Sequence, residues 1–350
     1  MPEPLQSEPS KAQLQNLAEF LAAKGLHRDG AVALKRFSGG QSNPTYLLET
    51  CDARYVLRRK PYGQLLPSAH AIDREYRVQS ALVDTTVPVA RPLVYCSDVD
   101  VIGAEFYVSE HVDGNVYWDH RLLDEPTDAR TKIFTGLVHA LASIHKVDVN
   151  VVGLESFGSK GNYIERQIKR WTGQYRQSQA DRNEAMEALI DWLPKHLPPA
   201  PPSVLVHGDY RIDNVIFDRT TLQPKAVLDW EVSTLGDPFA DLCYLLLNWR
   251  LPREGFRALA DVDLAGSGIP SETEVVSIYC RARGLDQVSH LPFYMAFNLF
   301  KLAAILEGIA ARARIGTAAS EEAAQRGRRA AAIAEMGWSL AQNHEQRVSA

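Results

Sequence analysis

Cysteine is scarce: the 350 residues include 4, Cys51, Cys96, Cys243 and Cys280. They are scattered, and no pair has the spacing of metal ligands. Their density is far below a disulfide scaffold, so reduced thiols in a cytoplasmic protein are the expectation. A strong excess of positive charge is also missing. The net charge of −5 gives no support for a general nucleic-acid binder. We find no apolar run of the ~18 residues that reads as a membrane span. The polar, Pro-rich stretch from Met1 to Ser10 lacks the basic-then-apolar order of a signal peptide. The expectation is a soluble chain that engages neither nucleic acid nor membrane.

What is present is enough apolar material for a sizeable core, 45% of residues, in a length that fits two lobes. The most informative stretch is His207-Gly208-Asp209-Tyr210-Arg211-Ile212-Asp213-Asn214. It stands between two apolar runs, Val204 to Val206 and Val215 to Phe217. A third, Ala226 to Leu228, ends in Asp229. Three short strands therefore present polar groups at their ends. Taken singly, each carboxylate could cap a turn. Together, Asp209, Asn214 and Asp229 make a set of hard oxygen donors of the kind magnesium takes alongside substrate phosphates.

Upstream, Lys11 to Lys24 reads as an amphipathic helix with Ser10 to cap it and Gly25 to end it. Strands are expected over Val32 to Phe37 and Thr45 to Glu49, joined by Ser38-Gly39-Gly40-Gln41-Ser42-Asn43. Paired glycines there signal a hairpin, and also permit close backbone approach to phosphates. No Gly-Lys-Ser/Thr follows, so this is not a Walker loop. A further strand covers Arg54 to Arg59, and a helix Pro67 to Val83 carries Glu75. Two more strands, Pro92 to Cys96 and Ala104 to Ser109, lead to Glu110-His111-Val112-Asp113-Gly114. From there the pattern is helical: Asp128 to His145, Asn162 to Gln177, Glu184 to His196, Ser271 to Arg283, Leu291 to Arg314 and Ser320 to Asn343. Asp237 can cap a helix opened by Pro238.

The His-Gly-Asp string with Asn214 and the strand ending Leu228-Asp229-Trp230 resembles the aminoglycoside phosphotransferase family, relatives of the protein kinases. Ser38 to Asn43 looks like that family's nucleotide loop, and Gly236-Asp237-Pro238 to Leu242 like the string that follows its metal Asp. Around Phe37 to Tyr46 and Leu57 to Tyr76 the chain is more similar to the phosphotransferase domain fused to some acyl-CoA dehydrogenases. Nothing in the sequence supports dehydrogenase chemistry itself.

The resemblance implies a bilobal α+β, kinase-like fold, with a sheet-rich lobe over 1–110 and a mostly helical lobe over 111–350. It implies ATP or GTP as phosphoryl donor, Mg²⁺, and a small-molecule hydroxyl as acceptor. Asp209 would be the base, with Arg211 reaching the transferring phosphoryl. Asn214 and Asp229 would hold the metal. Gly39, Gly40, Ser42 and Asn43 would cover the phosphates. Arg58, with Arg59 and Lys60 as neighbouring candidates, would steady them, oriented by Glu75. The kinase position is a Lys, so an Arg there is a departure. The backbone near Glu110 and Val112 would meet the adenine. Asp241 is expected to brace the catalytic loop. Basic residues predominate over Lys160 to Arg176 and Lys301 to Arg329, which points to an anionic acceptor such as a hydroxyacyl-CoA rather than a polycationic aminoglycoside. A nucleotide-binding scaffold without turnover is the reading from another class; the intact Asp209, Asn214 and Asp229 argue against it.

Overall fold

The structure is a computed structural model that describes residues 8–37, 43–62, 71–159, 161–314, 325 and 327–348. The chain divides into two compact units, Met1–Asn115 with Lys225–Glu231, and Val116–Pro224 with Val232–Ala350.

The first unit is built on a five-stranded antiparallel sheet in the order β1-β2-β3-β5-β4. The strands are β1 (Ala33–Arg36), β2 (Thr45–Glu49), β3 (Arg54–Arg59), β4 (Pro92–Cys96) and β5 (Phe106–Glu110). Alternation sends Tyr46, Leu48, Leu57, Phe106 and Val108 to one face, all fully buried, as a half-covered sheet requires. Helix α1 (Lys11–Ala23) covers that face with Leu17 and Leu21, and Ser10 with Gln13 forms its capping box. Helix α2 (Ile72–Leu82) buries Ile72, Glu75, Val78, Gln79 and Leu82 at helical spacing. The expected start at Pro67 lies outside the described residues; Ala71 is the N-cap, so the described helix opens at Ile72. Strand β8 (Pro224–Val227) returns to this unit through Val227 N–H, which donates to Pro88 O at 2.8 Å.

The second unit is mostly helical: α3 (Thr127–Lys146), α4 (Tyr163–Ser178), α5 (Glu184–Trp192), α6 (Pro238–Leu246), a single distorted turn α7 (Arg253–Phe256), α8 (Glu272–Arg283), α9 (Leu291–Arg314) and α10 (Ala330–Val348). α5 stops before the expected His196 because Pro194 turns the chain into a 3₁₀ segment, Leu193–Lys195. The last helix runs past the expected Asn343, to Val348. α9 is long and apolar enough to cross a membrane by length and composition, but 67% of its most apolar stretch is buried inside the protein. α4, α6 and α10 pack on it. β6 (Val204–Val206), expected from its apolar run, pairs antiparallel with β9 (Thr234–Gly236), which escapes the sequence pattern because it offers too few apolar residues to announce itself. β7 (Val215–Phe217) completes the set.

Candidate active site

β6 delivers the chain to His207 and Gly208. Gly208 adopts φ 84, and a Cβ there would sit 3.0 Å from Val232 O. The positive φ favours glycine, and the close backbone oxygen crowds any Cβ further. Asp209 follows, its side chain 32% exposed. Its carboxylate is held at both oxygens. Tyr244 O–H donates to Oδ1 at 2.6 Å, and Asn214 Nδ2–H donates to Oδ2 at 3.2 Å and to Asp209 O at 2.9 Å. A 3₁₀ turn, Ile212–Asn214, sets the spacing that lets Asn214 reach back. Tyr210 O–H donates to Leu137 O at 2.7 Å and ties the loop to α3.

Arg211 is turned toward Asp213: Nη2 lies 2.6 Å from Asp213 Oδ2, and Nε lies 3.9 Å from Asp209 Oδ1. Burial alone would raise the Asp213 pKa, but His120 and Arg211 hold it below the usual carboxylate range. His120 in turn meets Asn248 through Nδ1.

Behind the loop, Asp241 braces it directly. Its Oδ2 accepts from His207 N–H at 2.7 Å and its Oδ1 from Gly208 N–H at 2.8 Å. His145 Nε2 lies 3.2 Å from Asp241 Oδ2, and its Nδ1 lies 2.6 Å from Tyr279 Oη. Burial pushes the His145 pKa down, against the pull of Asp241. Burial would raise Asp241, but His145 and the His207 amide keep its pKa lowered. Asp237 caps α6 by accepting from Phe239 and Ala240 N–H.

The first unit carries a second cluster. Arg58 Nε lies 2.8 Å from Glu75 Oε2, and its Nη2 lies 2.6 Å from Asp229 Oδ1 and 3.8 Å from Glu231 Oε2. Burial pushes the Glu75 carboxyl up to about 7, with Asp229 and Glu231 adding to it and Arg58 opposing. Burial would lower the Arg58 pKa, but Glu75 and Asp229 outweigh it and raise it. Asp229 itself sits at φ 63, a left-handed conformation that costs a non-glycine residue about 1 kcal/mol or more.

The neighbours of Arg58 are engaged elsewhere. Arg59 is fully buried, donating to Lys60 O and Tyr46 Oη and lying 3.8 Å over the Tyr62 ring. Lys60 pairs with Glu105 at 2.9 Å. Asn43 Nδ2–H donates to Glu231 Oε2 at 3.3 Å. Gly39, Gly40 and Ser42 lie outside the described residues. Glu110 N–H donates to Arg91 O at 2.9 Å, so a nucleotide contact through its backbone would use its carbonyl. Val112 follows in a loop, half-buried.

Each residue expected to hold Mg²⁺ offers, within its own unit, a donor that suits that ion by its chemistry. The Asn214 amide nitrogen is spent on Asp209, which leaves its oxygen to offer. Asp229 has Oδ1 on Arg58, which leaves Oδ2. Both are hard oxygen ligands.

The expected basic surfaces are only partly free. Arg176 pairs with Glu187, Arg314 with Glu307 and Arg329 with Glu254, and Arg166 donates to Gly161 O. Lys160 and Arg326 lie outside the described residues. Lys301 reaches the His207–Asn214 loop, donating to Gly208 O at 3.0 Å. Sequence reasoning missed Tyr244, Asp213, His120 and Glu231. Asp213 and Glu231 flank residues already singled out, so adjacency could have found them. Tyr244 sits on α6 and gives no local signal.

Comparison with known proteins gives the family and the fold. A family model described as “Phosphotransferase enzyme family” matches residues 33–277. Mouse acyl-CoA dehydrogenase family member 10 is 44% identical over 326 residues, 93% of this chain and 30% of that protein. The human family member 11 is 39% identical over 89% of this chain and 40% of its own length. The chain thus spans well under half of these curated relatives. A crystal structure of a “putative aminoglycoside phosphotransferase” from Ralstonia eutropha is 41% identical, with a TM-score of 0.86, over 94% of this chain and 98% of that one. A complex of aminoglycoside phosphotransferase APH(4)-Ia with AMP-PNP and hygromycin B shares the fold at 16% identity and TM-score 0.60. The chain is an α+β, kinase-like protein and belongs to the phosphotransferase enzyme family.

Proposed function

We propose that this chain transfers the γ-phosphoryl group of ATP to a hydroxyl of an anionic small molecule, with a hydroxyacyl-CoA as the preferred class. The observation that supports catalysis best is Asp209: a carboxylate one-third exposed, with both oxygens oriented by neutral donors. In this reading Asp209 orients the acceptor hydroxyl and takes its proton. The acceptor oxygen bonds to the γ-phosphorus as the bond from that phosphorus to the bridging oxygen breaks, and ADP leaves. Arg58, oriented by Glu75, steadies the α- and β-phosphates, and Arg211, on turning from Asp213, reaches the transferring group. Asn214 and Asp229 would each give an oxygen to Mg²⁺, and the ion would supply positive charge that offsets the charge developing on the transferring group. The backbone near Glu110 and Val112 meets the adenine.

The acceptor class rests on two supports. The exposed Lys169 and Arg170 on α4 favour anions and repel polycations. The curated relatives carry an acyl-CoA dehydrogenase name. The Ralstonia protein's name favours an aminoglycoside instead. Purified protein with radiolabelled ATP and Mg²⁺, offered a 4-hydroxyacyl-CoA and kanamycin in parallel, separates the two. Label is expected on the thioester. Efficient label on kanamycin, with none on the thioester, would overturn the acceptor assignment.

A further inference from the structure

α9 is an apolar core helix, and Lys301 is out of character on it. A cation taken out of water is unfavourable unless it is well partnered. Its ammonium donates to Gly208 O at 3.0 Å, the carbonyl just before Asp209. It also lies 4.6 Å from the centroid of the Tyr244 ring, within cation–π range. That same ring carries the hydroxyl that donates to Asp209 Oδ1 at 2.6 Å. The direct role of Lys301 in phosphate binding is not required by this geometry, because its head group is committed to the loop and the ring.

We propose that Lys301 and Tyr244 act together as positioning residues for Asp209. Lys301 fixes the loop backbone at Gly208 and holds the Tyr244 ring against it. Tyr244 in turn fixes the carboxylate rotamer through Oδ1 while Asn214 holds Oδ2. Both act through Asp209 rather than on the acceptor or the nucleotide. Supporting this placement, burial lowers the Lys301 pKa, and the charges of Asp209 and Asp241 counter that drop. Those two carboxylates lie on different elements, the loop and α6, so the cation sits among the groups that shape the site. The arrangement rests on Asp209 being the base, as set out above.

The test is a double-mutant cycle with Tyr244→Phe and Lys301→Met, both close in shape to the originals. Turnover is read with Mg-ATP and a 4-hydroxyacyl-CoA, and with water as the acceptor in a parallel assay of ADP release. Each single variant should lose about tenfold in kcat, the value of one hydrogen bond to a charged group. The ATP KM should stay within about twofold, and the melting temperature should not fall. The double variant should lose no more than the worse single one, because both act through one carboxylate. Multiplying losses, a change confined to KM, or normal kcat in both single variants would overturn the proposal. Asp209→Asn run alongside tells the two claims apart. If it is inactive while Tyr244→Phe and Lys301→Met are normal, the positioning claim alone fails. If Asp209→Asn is fully active, or the wild type turns over neither acceptor, the catalytic reading fails with it.

Discussion

Arg58 Nη2 donates to Asp229 Oδ1 at 2.6 Å, across 171 positions of sequence. The same guanidinium meets Glu75 through Nε at 2.8 Å. One planar fork therefore serves two carboxylates at once, which a lysine ammonium on the same stem cannot reproduce. Arg58→Lys should raise the ATP KM about tenfold while leaving the acceptor KM unchanged. Steady-state kinetics varying each substrate in turn checks this, and an unchanged ATP KM would count against a phosphate-steadying role.

Asp229→Asn is the clean variant for the metal claim, because asparagine tolerates the left-handed φ of 63 better than most residues. Mg²⁺-dependent nucleotide affinity should fall about tenfold or more, and metal-free nucleotide affinity much less. Calorimetry with and without Mg²⁺ reads both; equal losses would exclude Asp229 as a ligand.

Asp241 accepts two backbone N–H bonds at 2.7 and 2.8 Å from the loop. In Asp241→Asn one of those amides must face an NH₂ group. The variant should lose about 2 kcal/mol of unfolding free energy, the cost of a buried donor left unmatched, measured by urea titration. It should also slow turnover.

His145 gives a pH signature. The distances fit the neutral ring, with Nε2–H donating to Asp241 and Nδ1 accepting from Tyr279. Its folded pKa is lowered by burial, below an unfolded value of about 6.5. The neutral ring therefore adds stability that is complete above about pH 6.5 and is lost as pH falls below it. Relative to His145→Gln, the wild type should lose stability on acidification from pH 7 to 5. A difference that stays flat, or that grows on raising pH above 7, would contradict this assignment.

Much of this architecture is legible in the residues. Val204 to Val206 and Val215 to Phe217 read as strands because short apolar runs end at polar groups, and the structure gives both with those limits. The 3.6-residue period of α3 and α4 gave their extents to within a residue or two. β9 stayed hidden because it has few apolar residues. The Arg58–Asp229 contact and the approach of Tyr244 and Lys301 to Asp209 stayed hidden for another reason. They join residues with no shared local pattern, and only tertiary packing brings them together. Lys301 in particular read as one more member of a basic surface, whereas it turns inward to Gly208 O. Arg176 and Arg314 carried the same label and prove to be paired with Glu187 and Glu307.

The most direct test of the central claim is the turnover of Asp209→Asn with Mg-ATP and a 4-hydroxyacyl-CoA. The substitution keeps the shape of the side chain and the partners Tyr244 and Asn214 within reach, but removes its capacity to take a proton. General-base assistance is worth about 10²–10⁴-fold, so kcat should fall by that range while nucleotide affinity, read by calorimetry, stays within about twofold. A purified variant that turns over at near the wild-type rate would contradict the account.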